Sequence, residues 1–300
     1  MRKIGRVLVL IIGIVLIVIS LWNIGDTLME YKRSRDEYDK LREEIFSALG
    51  NEDSDEETLD DSNRENSVES AGGENEESTS ESLSDEDEAK KLTEQYAKEV
   101  EQARAQARKE CASVCNAVAQ LQSQNEDVVG WIKFLNMDIS YPVMHGDTND
   151  DYLYHTWSGM ENKSGSIFME ALNTGDFQDS HTLIYGHNMK DGSMFGKLKN
   201  YREEYGYDKS PYFVIYTADA AYEYHIFAYY DIAEDGDIYC VHYEPSEEFG
   251  QLVQSMKKHA WRDTGVRVGK DDKVITLSTC STEGRRFVLN AVRTDEYPVK

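Results

Sequence analysis

The 300-residue sequence predicts a mainly β fold, an eight-stranded closed or nearly closed barrel with a few helices, carried behind a long N-terminal extension. Three observations point there. Short β-rich segments recur from residue 125 to the C-terminus, divided by turn signals such as HGDTND, NTGD, KDGS, EDGD and GKDD. One strong helix pattern interrupts them. The first 124 residues, by contrast, read as an apolar span, an acidic low-complexity run and a helix.

The extension begins with MRKIGR and an uncharged stretch, VLVLIIGIVLIVISLWNI, over 7–24. At ~1.5 Å per residue this stretch spans ~27 Å, close to the hydrocarbon thickness of a bilayer. A cleaved signal peptide would carry a shorter apolar region of ~7–15 residues and a small-residue cleavage site. This one ends in Leu21, Trp22 and Asn23, as an anchor at an interface does. Arg2, Lys3 and Arg6 on the short side favour an N-terminus inside and the bulk of the chain outside. Residues 1–25 are therefore a cytoplasmic stub and a single-pass membrane anchor.

Residues 26–87 read as a juxtamembrane stalk and an acidic disordered tether. The stalk, 26–46, is charged and helix-compatible. Over 52–88 there are seventeen acidic residues against Arg64 alone, which accounts for most of the formal net charge of −25. Such a composition cannot bury enough apolar surface to fold, and it repels itself into an extended tether. It lacks the spaced Asp and Gly of a calcium loop. Acidity this strong also excludes nucleic acid as a partner. Everything before about residue 88 is thus expected to locate the domain, with no part in its chemistry.

Residues 88–124 form a helix by propensity, free of Gly and Pro and rich in Ala, Glu, Gln and Lys. Leu92, Tyr96, Val100, Ala103 and Ala107 make a thin apolar stripe, and Val114, Val118 and Leu121 are expected to pack on the domain C-terminal to the helix. That barrel domain, 125–300, supplies the segments VVGWIKF, ISYPVM, GSIFMEA, HTLIYGH, YFVIYT, AYEYHIFAYYDI, DIYCVHY, KVITLSTC and RFVLNAV. A helix over 246–259 follows Pro245 and opens with acidic residues, and a second short helix is expected around 196–205.

Of four cysteines, Cys111 and Cys115 sit four apart on a helix, where a disulfide would be strained. Cys240 falls in a Tyr-rich strand and reads as core packing. Cys280 stands alone at the polar end of an apolar strand, with Arg285 and Arg286 just across a Gly-containing turn. A buried free cysteine usually only fills space. Cationic neighbours, however, lower thiol pKa values in general, and the thiolate is the reactive form. An imidazole can exchange the proton a leaving amine needs, and a guanidinium can hold an oxyanion throughout a cycle.

Two stretches carry those groups, HTLIYGHNMKDGSMFGKL with His187 and TLSTC with Cys280. Together they resemble a sortase, and within that family class B. The resemblance rests on YGHN, TLSTC and a trailing Arg. It rests also on GWI and YPV at 130–132 and 141–143, on Asn149 before Tyr152 and Leu153, and on GSIF at 165–168. It covers about 116–292. It implies a sortase-type barrel and a cysteine transpeptidase in which Cys280 attacks a Thr carbonyl in a C-terminal sorting signal while His187 protonates the departing amine. The thioacyl-enzyme would then be resolved by an amine of peptidoglycan precursor or of a pilin. The implied partners are secreted proteins bearing an LPxTG-like or NPxTN-like signal, and the implied substrate-binding residues are Asn149, Ser278 and Thr279. Thr282 stands where class B members often have an Asp, so no acidic triad member is assigned.

Strand register chooses between the arginines. A hairpin with the loop 281–285 sets Cys280 opposite Arg286, Thr279 opposite Phe287 and Leu277 opposite Leu289, and gives one apolar face. A one-residue slip turns every side chain over and mixes the faces. Arg286 is therefore the expected cation beside the thiol, and Arg285 is expected to be solvated.

His155, His225, His242 and His259 read as surface or structural residues, and His181 begins a strand where His187 ends one. The histidines are scattered singly, so no metal and no cofactor is implied. Rival readings are a papain-like protease or an L,D-transpeptidase, whose sequence contexts around Cys are absent, and a non-catalytic membrane-tethered barrel scaffold.

Overall fold

In the computed structural model, residues 2–47 and 85–299 are described, and the acidic run expected as a tether lies outside them up to residue 84. The strands are β1 (Val128–Phe134), β2 (Ser140–Met144), β3 (Ile167–Met169), β4 (His181–Tyr185), β5 (Tyr212–Tyr216), β6 (Ala220–Ala233), β7 (Val274–Cys280) and β8 (Arg285–Pro298). They close into one barrel in the order β1-β2-β3-β4-β7-β8-β6-β5. The pairs β2–β3 and β4–β7 are parallel, and the other six are antiparallel.

Alternation along each strand decides which side chains fill the barrel. Ile132, Val143, Ile184, Ile215, Leu277 and Leu289 point inward and are fully buried. Burying each such side chain contributes roughly 1.5–3 kcal/mol. The outward residues find separate partners. Phe227, Tyr230, Val274, Val288 and Val292 are covered by α4 (Glu247–His259) through Phe249, Leu252, Val253 and Met256. Ser246 caps that helix, its Oγ accepting from Phe249 N at 3.2 Å, with Glu247 and Glu248 in the first turn and Lys257, Lys258 and His259 in the last.

Two expected elements differ. The segment DIYCVHY is no strand: a 3-10 turn spans Asp237–Tyr239, and Cys240 is exposed, not packed in the core. The reason is topological, because both edges of β6 are already taken by β5 and β8 and the closed barrel offers no free edge. The short helix expected around 196–205 is a 3-10 helix, Gly196–Arg202, followed by the single turn α3 (Gly206–Lys209).

α2 (Asp85–Gln124) lies on the outside of β1, β5 and β6. Val100, Ala107, Val114, Val118 and Leu121 are buried along the expected stripe. Its Arg104 makes a bidentate pair with the fully buried Glu223, at 3.0 Å from Nε and 2.7 Å from Nη2. Cys111 and Cys115 are free thiols, 3.9 Å apart.

α1 (Arg2–Ser47) is one continuous helix, ~69 Å long at ~1.5 Å per residue. It contains the one helix among the described residues long and apolar enough to cross a membrane. Leu16, Leu21 and Trp22 are exposed there. Its second half does more than connect. Ser34, Tyr38, Leu41 and Ile45 recur at helical spacing and are all buried against the barrel and α2. Tyr38 OH bonds Gly165 O and Ser166 Oγ, both at 3.0 Å, and Arg42 Nη1 donates to Asp138 Oδ1 at 3.0 Å. The buried face of the stalk is thus part of the packed core as well as a connection to the domain.

Candidate active site

β4 and β7 run parallel, with Tyr185 registered on Ser278. Two residues beyond that pair, each chain reaches the same barrel rim, one with His187 and the other with Cys280. Parallel pairing therefore brings together residues 93 positions apart in the sequence. β8 lies on the other flank of β7, and its antiparallel register sets Cys280 opposite Arg286, Thr279 opposite Phe287 and Leu277 opposite Leu289, as the hairpin argument expects. The turn that joins them closes through Arg285 N donating to Thr282 O at 3.0 Å, with Gly284 at φ +69°, where L side chains are disfavoured.

Arg286 Nη1 donates to Cys280 Sγ at 2.6 Å. Its Nη2 lies 3.3 Å from Glu234 Oε1, a carboxylate just past the end of β6, the strand paired with β8. Arg285 is exposed, and its Nη2 donates to Asp231 O at 2.8 Å, away from the thiol.

His187 Nε2–H donates to Leu153 O at 2.7 Å. A carbonyl only accepts, so this bond fixes the tautomer and leaves Nδ1 as the nitrogen available for proton exchange. Leu153 is held in turn. Ser166 N donates to Tyr152 O at 3.0 Å, and Gly165, at φ +55°, lies so close that a Cβ would overlap Leu153 O. Asn188 Nδ2 donates to Cys280 O at 2.7 Å and ties the two loops together.

Cys280, His187, Arg286, Glu234 and Leu153 line one cavity of about 380 Å³, with Asn149, Tyr185, Ser278 and Tyr239. Ser278 Oγ lies 3.1 Å from Tyr239 OH. Asn149 lines the cavity, but its amide is committed: Nδ2 donates to both Glu170 carboxylate oxygens at 2.8 and 2.9 Å, and Oδ1 accepts from Ala171 N at 2.8 Å. Tyr185 OH donates to Glu170 Oε2 at 2.8 Å, and burial together with that carboxylate pushes the phenol pKa well up. Thr279 does not line this cavity. It faces the opposite side of β7, 4% exposed, against Phe287.

Sequence reasoning missed Glu234, Tyr239, Glu170 and the Leu153 carbonyl. Glu234 meets Arg286 only through β6–β8 pairing across some fifty residues, and Tyr239 lay in the segment misread as a strand. Among the described residues no group of three or more His, Cys, Asp or Glu is arranged to hold a metal ion.

A strand-end thiol beside a guanidinium, with an oriented imidazole on the neighbouring parallel strand, is an arrangement for nucleophilic catalysis. Comparison with known proteins gives the same answer. The sortase-domain family model matches residues 132–294. The chain belongs to the sortase family. Within it, the similarity is to class B. Sortase B of Listeria monocytogenes is 37% identical over 163 residues, 54% of this chain and 66% of that protein. Sortase B of Staphylococcus aureus is 30% identical over 160 residues, 53% of this chain and 66% of that protein. The match thus spans just under two thirds of each relative's length. A solved Staphylococcus aureus sortase B–substrate complex superposes with a TM-score of 0.58 at 27% identity, covering 69% of this chain and 98% of that one. The eight-stranded barrel of this sortase is that of the sortase B structures.

Proposed function

We propose that this sortase is a membrane-anchored cysteine transpeptidase that cleaves a C-terminal sorting signal after Thr and joins the acyl group to an amine of peptidoglycan precursor or of a pilin. The single observation that carries the proposal is the Arg286 Nη1 contact to Cys280 Sγ at 2.6 Å, in a cavity shared with His187. A guanidinium beside the sulfur is placed to hold the oxyanion that forms on attack.

In the first half-reaction Cys280 Sγ bonds to the Thr carbonyl carbon. The amide C–N bond breaks, and His187 gives the departing amine its proton from Nδ1. In the second, an acceptor amine displaces Sγ. Leu153 O, by engaging Nε2, keeps Nδ1 as the exchanging nitrogen in both halves. Asn149 acts through Glu170 to shape the groove, and Ser278 lines it. Basic residues at 2, 3 and 6 support an N-terminus in the cytoplasm and a catalytic barrel outside, where sorting signals of LPxTG-like or NPxTN-like type and wall amines both lie.

The test is incubation of the protein with peptides carrying Leu-Pro-x-Thr-Gly or Asn-Pro-x-Thr-Asn and a simple amine. Cleavage after Thr with transfer to the amine supports the proposal. A protein whose thiols stay unacylated across the panel is a scaffold.

A further inference from the structure

α1 passes without a break from the apolar stretch 7–24 into the stalk that packs on the barrel, so it fixes the height of each barrel segment it touches. A rise of ~1.5 Å per residue puts Glu30 ~9 Å and Tyr38 ~21 Å beyond Ile24, the last residue of that stretch. At the Tyr38 level the barrel presents Gly165 O and Ser166 Oγ, both 3.0 Å from the hydroxyl. At the Glu30 level it presents the residues just before them. Lys163 Nζ lies 2.8 Å from Glu30 Oε2, and Asn162 Nδ2 donates to Glu30 O at 3.1 Å. From Ser166 back to Asn162 the chain therefore runs along α1 toward the apolar stretch.

The segment on the far side of Asn162 is closed on itself, with Asn162 N donating to Tyr154 O and Thr156 N to Met160 O, both at 2.8 Å. Residues 154–163 thus share the Glu30 level. Tyr154 and Met160 are exposed there, as are Leu28 and Met29 on α1, ~6–8 Å past Ile24. Cations follow: Lys32, Arg33 and Arg35, ~12–17 Å past Ile24, are exposed and have no carboxylate partner among the described residues. Helical side chains tilt toward the N-terminus, here toward the apolar stretch, and long basic ones carry their charge back over apolar surface. A headgroup layer reaches ~5–8 Å beyond the hydrocarbon on each side of a bilayer. Exposed apolar groups at its outer edge, with unpaired cations reaching down to its phosphates, fit that layer.

Resting on the membrane-anchor reading, we infer that α1 is a rigid arm that holds residues 154–163 against the lipid headgroups, with Tyr154 and Met160 facing the layer and Lys32 and Arg33 on its phosphates. The contact bears on the catalytic rim. The Tyr154 ring lies 5.7 Å from the His187 ring, and Leu153 O accepts from His187 Nε2. His187 therefore works beside the bilayer surface.

The experiment uses the full chain carrying Cys240→Ser and Cys280→Ala, which leaves only the buried thiols of Cys111 and Cys115. Met160→Cys and Glu43→Cys are introduced separately and labelled with nitrobenzoxadiazole. Glu43 is exposed on the same helix, ~28 Å past Ile24. Each protein is placed in phosphatidylcholine–phosphatidylglycerol vesicles containing a phosphatidylcholine spin-labelled on its headgroup. Quenching is expected to be about threefold or more stronger at 160 than at 43, since only the first position reaches the headgroup layer. Inserting about ten Gly and Ser residues between Asp26 and Thr27 frees the barrel from the span and should bring quenching at 160 down toward that at 43. Equal quenching at the two positions, or quenching at 160 that the insertion leaves unchanged, overturns the inference while the anchor stands. Protein that does not float with the vesicles overturns both.

Discussion

Arg286 and Cys280 are bound to each other twice, by a ladder register that sets them directly opposite and by the 2.6 Å contact of Nη1 with Sγ. Glu234 fixes the guanidinium from the other side at 3.3 Å. Arg285, next in sequence, is turned to Asp231 O. Arg286→Ala should lower acyl-enzyme formation about 100-fold or more, the scale of losing one oxyanion donor. Arg285→Ala should cost less than about threefold, as for an exposed charge. Rates of peptide acylation for the two variants check this, and an equal or greater loss from Arg285 would overturn the assignment.

The docked stalk predicts that the N-terminal region matters to chemistry as well as to location. Tyr38 is buried, and its hydroxyl holds Gly165 and Ser166, which hold Tyr152 and Leu153, whose carbonyl orients His187. Tyr38→Phe should cost about 1–3 kcal/mol by stranding those partners. Tyr38→Ala should cost about 3–5 kcal/mol and slow acylation too. A truncation starting at residue 26 should accordingly be more stable and more active than one starting at residue 85. Thermal melting and peptide cleavage on both truncations decide it.

Glu223 is fully buried and depends on Arg104 for charge balance, with Thr294 Oγ1 and Tyr297 OH as further donors, both at 3.3 Å. Arg104→Met leaves that carboxylate unpaired and should destabilise the fold by about 3–5 kcal/mol. Adding Glu223→Leu should recover much of the loss, because no buried charge then remains. Denaturant midpoints of the single and double variants measure both effects.

Burial pushes the His181 pKa down to about 4, while its ring nitrogens sit 3.0 Å from Cys240 O and 2.8 Å from Thr276 Oγ1. Burial also lowers His225 to about 4, with Arg104 acting in the same direction. An unfolded histidine titrates near ~6.5. Between about pH 4 and 6.5 the unfolded chain thus binds the proton and the folded one does not. Stability should therefore rise with pH across that window and fall on acidification, by up to about 3 kcal/mol from His181 alone. Urea midpoints from pH 4 to 7.5 should show the slope, and His181→Gln should make it shallower.

Local patterns were the legible part of this chain. The β7–β8 register follows from alternation over a short hairpin, so Cys280 and Arg286 could be paired from sequence. His187 and Cys280 could be named from their motifs, but their proximity comes from β4–β7 parallel pairing, which no local pattern encodes. The same limit hid Glu234 behind β6–β8 pairing. DIYCVHY has strand composition, yet a closed barrel leaves it no edge, so Cys240 ends exposed. The stretch 26–46 is legible as a helix, but its charged residues mask the face on which every third or fourth residue, Ser34, Tyr38, Leu41 and Ile45, is buried. The resemblance implies both Ser278 and Thr279 as substrate-binding residues, but neighbours on a strand face opposite sides, and only Ser278 lines the cavity with His187.

The central claim, that Cys280 is the nucleophile of an acyl transfer, is tested most directly by trapping the acyl-enzyme. The protein is mixed with a cleavable sorting peptide, quenched in acid, digested and mapped by mass spectrometry. The expected result is an acyl thioester on Cys280 that disappears on addition of an amine and is absent from Cys280→Ala, with the exposed Cys240 unmodified. Peptide joined to amine by the Cys280→Ala protein, or a thioester found on Cys240 instead, would contradict the account.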